Sequence, residues 1–378
     1  MKKILITATA LLIFLTLSVS VSAETSNIKI PSEYESIKDY IPEDVFELLP
    51  SDIFVADSEK MIDAVEEMTS FDYLSKIIVS ILNLEIKSSL GLLLTLVAAI
   101  ILCALINNLN SSTLGGSGSD ISKFVSNILI VSILLSTHSD IFSCSKIFFE
   151  RLNVFMTGML PFMCTLCAMG GGIGSAVATN YGISAFLSVS ELALSKSLPP
   201  IAGTCISLAS VRAIGETNAT SSLLKGLKKI YVFLIGMLMT LMLFVFSARG
   251  IMSHSADTLG GRAIKFAAGS FIPIVGSNIG DILKGVGSGI AYLKNTVGVL
   301  SVFIILIILL PTFVSVIIRR IVLYVCSALA DLLGASEQSK VINEFASVYG
   351  MILAVISMSS VLFIAAVIIS VRIGNVAV

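Results

Sequence analysis

Uncharged apolar runs, each longer than a soluble core requires, recur along this chain and dictate the solvent in which it folds. Residues 90–106 read LGLLLTLVAAIILCALI, and comparable runs occupy 230–248, 296–318 and 350–371. A helix needs about 20 apolar residues to cross the hydrocarbon core of a bilayer. A helix also satisfies its own backbone hydrogen bonds where no water is available. The rest of the chain leans the same way: 56% of residues are hydrophobic and 13% charged, with a mean hydropathy of +0.99. The expected fold class is therefore all-α, a polytopic helical membrane protein.

The N-terminus carries a separate signal. Lys2 and Lys3 precede an apolar run at 4–17, and Val21-Ser22-Ala23 forms a small-x-small cleavage site. This is the layout of a cleavable signal peptide over residues 1–23; an uncleaved anchor helix is the alternative. Either way, the segment that follows is expected outside the cytoplasm. Residues 24–87 hold fifteen acidic residues against five lysines, a net of −10, whereas the remainder of the chain is strongly basic. Basic residues near membrane ends tend to stay cytoplasmic, so the charge division agrees with export. Apolar positions from Tyr40 to Met68 predict two or three amphipathic helices, punctuated by Pro31, Pro42 and Pro50. Their apolar faces need burial, on a partner or on the chain's own membrane domain.

Residues 88–378 read as a multi-span domain of about seven or eight helices. A Ser/Gly/Asn-rich loop is expected at 107–120. The apolar segment 124–142 contains Ser132, Ser136, Thr137 and His138, which suits a helix facing other helices. Glycines 170–172 break a helix or permit close packing. Residues 183–211 predict two half-length helices meeting at Pro199-Pro200. Residues 212–229, with Arg212, Lys225, Lys228 and Lys229, read as a cytoplasmic loop. Residues 249–294 mix charges with glycines and predict an irregular or re-entrant stretch. Arg319-Arg320, ending the run at 296–318, are expected in the cytoplasm.

Charges inside membrane segments are costly and mark candidate structural or pathway residues. Glu191 and Lys196 lie five apart, off the three or four that share a helix face. They are read as an internal pair fixing helix packing, with a proton or ion relay as the sharper alternative. Asp281 stands beside Gly276, Gly280 and Pro273, where small residues let another helix approach closely. Cys164 and Cys167 have CxxC spacing, but neither His138 nor His254 lies near them in sequence; packed, unreactive thiols are expected. No Walker A, HExxH or GxSxG pattern occurs. No enzyme, cofactor, metal site or nucleic-acid module is read from the chain.

The stretch 265–283, KFAAGSFIPIVGSNIGDIL, following the span IYVFLIGMLMTLMLFVFSARG at 230–250, resembles the stage III sporulation protein AE family of endospore-forming bacteria. The specific part is Phe271-Ile272-Pro273-Ile274-Val275-Gly276; the order of signal peptide, acidic segment and multi-span domain agrees in layout. The resemblance implies a membrane component of a secretion-like channel complex linking mother cell and forespore. It implies as partners other membrane and ring-forming subunits, a secretion-type ATPase and a forespore-made protein, within the lipid bilayer around the forespore. It carries no catalytic residues. An independent secondary transporter is the competing reading, because broken helices and embedded charges also build substrate sites.

Overall fold

The computed structural model describes residues 32–54, 64–65, 67–68, 70–113, 116–169, 172–214, 218–271 and 276–372, and these are helical with short turns and no strands. The expected signal peptide, Pro31 and Pro273 lie outside the described residues. Two 3₁₀ pieces, Ser32–Tyr40 and Ser51–Phe54, flank a single helical turn, α1 (Glu43–Phe46). The long helices are α2 (Phe71–Thr113), α3 (Gly116–Met169), α4 (Ile173–Ser190), α5 (Leu198–Ile214), α6 (Asn218–Phe271), α7 (Gly276–Leu332) and α8 (Ser336–Arg372). A π-helical segment, Glu191–Lys196, joins α4 to α5. Among the described residues, five stretches are long and apolar enough to cross a membrane: Asp72–Asn108, Ile121–Met169, Thr220–Ala248, Leu293–Leu332 and Ser336–Val371.

Three expectations change. The loop at 107–120 is largely helix, since α2 runs on to Thr113 and α3 starts at Gly116. Antiparallel packing of α2 on α3, with Ser122 Oγ 3.5 Å from Asn107 Oδ1, outweighs the weak helix preference of Asn, Ser and Gly. Lys225, Lys228 and Lys229 belong to α6 rather than to a loop. The backbone expected to be irregular at 249–294 continues α6 to Phe271 and opens α7 at Gly276.

The register follows from side-chain contacts. Cys103 faces the Ser126 carbonyl at 3.8 Å, so α2 and α3 are antiparallel. Arg319 meets the Thr137 carbonyl, Ser301 meets Met159 and Lys294 meets Cys167, so α3 and α7 are antiparallel too. Consequently α2 and α7 run parallel, with Ser88 and Ser89 level with Arg319. The α7–α8 hairpin turns at Gly334, whose φ of +79° is a conformation glycine adopts without steric cost. Ser327 and Ser339 hydroxyls bridge the two helices at 2.9 Å. Many other hydroxyls return to their own helix: Ser145, Thr240 and Ser360 each donate to the carbonyl four residues earlier. That back-bonding satisfies polar groups where water is scarce.

The short N-terminal pieces dock on α3, so their apolar faces are buried within the chain. Tyr34 is buried, its ring centroid 5.4 Å from that of Phe162, and its hydroxyl donates to the Ile53 carbonyl. Burial pushes its phenol well above the usual tyrosine range. Arg151 of α3 donates to Asp44 at 2.8 Å, and Gly158 leaves room for the Tyr40 ring.

Candidate functional site

Where α2, α3 and α7 meet, the packing leaves a cleft of about 310 Å³. Helix α2 supplies Ser88, Ser89 and Thr95; α3 supplies Ser136, Thr137 and Asp140; α7 supplies Arg319. Ser88, Ser89, Asp140 and Arg319 come from the edges of apolar runs. Ser88 and Ser89 precede the run at 90–106, Thr137 and Asp140 lie near the end of the segment 124–142, and Arg319 follows the run at 296–318. The parallel register of α2 and α7 therefore sets their two apolar runs end to end, and the cleft occupies the polar level between them.

The electrostatics of the cleft are loose. The Arg319 side chain is 13% exposed, yet its Nη1 lies 3.8 Å from an Asp140 carboxylate oxygen and 3.5 Å from the Thr137 carbonyl. Both distances exceed those of a strong charge-assisted hydrogen bond. Asp140 itself is mostly exposed. Ser89 is 2% exposed, and its hydroxyl has no hydrogen-bond partner among the described residues. Ser136 and Thr95 donate instead to the carbonyls of Ile133 and Gly91, at 2.8 and 2.9 Å.

Sequence-predicted residues fall elsewhere. Glu191 and Lys196 do pair, at 3.0 Å. The π-helical backbone explains how: bonding from i to i+5 brings residues five apart onto one side. Pro199 and Pro200, in the first turn of α5, have no N–H for the carbonyls of Ser195 and Lys196, so a regular helix cannot continue into them. Ser197 donates to the Ala193 carbonyl, and Tyr231 of α6 approaches both, at 2.9 Å from Ser197 Oγ and 3.5 Å from that carbonyl. The Glu191–Lys196 pair lies on the surface, with side chains 50% and 65% exposed, rather than in the interior expected for it. Gly276, Gly280 and Asp281 lie in the first turns of α7, and Pro273 is outside the described residues.

Two buried charges escaped the sequence reading. Lys228 of α6, assigned there to a loop, is enclosed between α6 and α8; it donates to Ser347 at 2.7 Å and pairs with Glu344 at 3.5 Å. Lys294 is fully buried with Nζ 3.4 Å from Cys167 Sγ. No signal marks either in sequence, because the partners are over one hundred residues away. Arg319 was legible only as a basic end to an apolar run. The six cysteines are free thiols, and no group of three or more His, Cys, Asp or Glu able to hold a metal occurs among the described residues.

Comparison with known proteins supplies the context. The family described as Stage III sporulation protein AE (spore_III_AE) matches residues 56–374. A stage III sporulation protein AE of Bacillus subtilis (strain 168) is 25% identical over 301 residues, covering 79% of this chain and 75% of that protein. No solved structure matches the chain. With the family match extending from the middle of the acidic segment through α8, this chain belongs to the stage III sporulation protein AE family.

Proposed function

We propose that this protein is an integral membrane core subunit of a sporulation-specific, secretion-like channel complex joining mother cell and forespore. The observation that carries the reading is the family match over 56–374, which takes in all five apolar helices. The protein works by assembly, without catalysis. Its helices sit in the mother-cell membrane around the forespore, and its acidic N-terminal segment lies outside the cytoplasm. There the charged outer face of that segment, docked on α3 through Tyr34 and Asp44, meets ring-forming and forespore-made partners. The ATPase meets the opposite, cytoplasmic end. The junction of α6 and α7 around Pro273 and Gly276 seats a neighbouring subunit.

Deletion of the gene in its endospore-forming host tests the proposal. Shrunken engulfed forespores and a silent late forespore reporter, both restored by the intact gene, are expected. Normal forespores with full reporter activity, in a host lacking a second copy, would remove the channel role and leave an independent transporter as the better reading.

A further inference from the structure

We propose that the cleft between α2, α3 and α7 binds the phosphate of an anionic phospholipid. The inference rests on the membrane-spanning reading and is independent of the channel.

The first ground is donor supply. A guanidinium carries five N–H donors, and that of Arg319, mostly enclosed, has its recorded acceptors at 3.5 and 3.8 Å. Ser89 adds a buried hydroxyl without a partner among the described residues. The neighbouring Ser136 and Thr95 already spend their protons on their own helices. What the cleft offers a ligand is therefore a planar cationic fork and the hydroxyls of Ser88 and Ser89, a donor set suited to a phosphate oxyanion.

Position is the second ground. The cleft lies at the polar level where the apolar run of α2 begins and that of α7 ends. With the hydrocarbon on the α2 run, where exposed Leu90 and Leu94 lie, the bilayer surface, and with it the phosphate layer, comes at this level. The third ground distinguishes a lipid from free phosphate. Exposed Leu90 and Leu94 alternate with the lining residues Gly91 and Thr95 on α2, and exposed Leu135 precedes Ser136 on α3. These side chains form an apolar track for acyl chains leading directly from the cleft.

Asp140 moderates the site. Its carboxylate competes for the guanidinium, but being mostly exposed it can turn to water when a phosphate enters. An uncharged neighbour at that position should strengthen lipid binding.

The full-length protein is reconstituted into phosphatidylcholine vesicles with and without phosphatidylglycerol, re-extracted, and its retained lipids are identified by native mass spectrometry. Retention of phosphatidylglycerol over phosphatidylcholine is expected, falling about tenfold in Arg319→Gln and less in Ser89→Ala. Equal retention of the two lipids by the wild type, or undiminished selectivity in Arg319→Gln, would overturn the proposal. Inorganic phosphate alone should leave the melting temperature in detergent unchanged; a phosphate-dependent rise without lipid selectivity would overturn the lipid assignment. If Arg319→Gln fails to fold, Asp140→Asn decides: raised selectivity supports the site, and unchanged or lowered selectivity overturns it. Failure of the wild type to enter vesicles at all would instead sink the membrane-spanning reading.

Discussion

Two ion pairs of similar chemistry have opposite expected worth, because packed helices enclose one and leave the other on the surface. Lys228 and Glu344 have side chains only 9% and 13% exposed. Removing one partner leaves a buried charge uncompensated, which costs about 3–5 kcal/mol. Glu344→Gln should therefore lower thermal stability in detergent sharply, while the double variant Lys228→Met/Glu344→Leu should recover much of the loss. Glu191→Gln, at the exposed pair, should change stability by less than about 1 kcal/mol in the same assay. A large effect at Glu191 would mean that its carboxylate does something beyond pairing with Lys196. Tyr34 supplies a titration at this scale. Its pKa is raised by burial, so its contribution to docking is whole below the ordinary tyrosine value of about 10 and declines above it. Protease cleavage of the N-terminal segment should accordingly rise with pH beyond that value, and Tyr34→Phe should flatten the rise.

At the level of elements, glycines separate close contact from mere tolerance. A Cβ at Gly158 would fall inside the Tyr40 ring, whereas one at Gly226 would meet nothing within 4 Å. Gly158→Leu should release the N-terminal pieces from α3, at a cost of about 1–3 kcal/mol, and expose them to protease. Gly226→Ala should leave cleavage unchanged and raise stability by about 0.5–1 kcal/mol through helix propensity. The π-helical segment belongs to the same scale. Proline chemistry forces the irregularity between α4 and α5, and Tyr231 holds it in place. Tyr231→Phe removes the hydroxyl beside Ala193 and Ser197 and should loosen Glu191–Lys196, seen as faster hydrogen exchange confined to that segment.

For the whole molecule, length is the governing quantity. Helix α3 has 54 residues and extends about 80 Å, against a hydrocarbon core of about 30 Å. The bundle thus projects well beyond one bilayer, and the projecting part is where partner subunits have room to bind. The sequence by itself determined the helical class, the apolar runs and the charge division, because hydropathy, length and backbone hydrogen bonding are local properties that a span must satisfy on its own. It marked Pro199-Pro200 as a break for the same local reason. Tertiary structure alone decided that Lys228 finds Glu344, that Arg319 finds Asp140, and that the acidic segment folds back onto α3. Those contacts join residues more than one hundred positions apart. Only the register of packed helices, set by the summed fit of many side chains, brings them within reach.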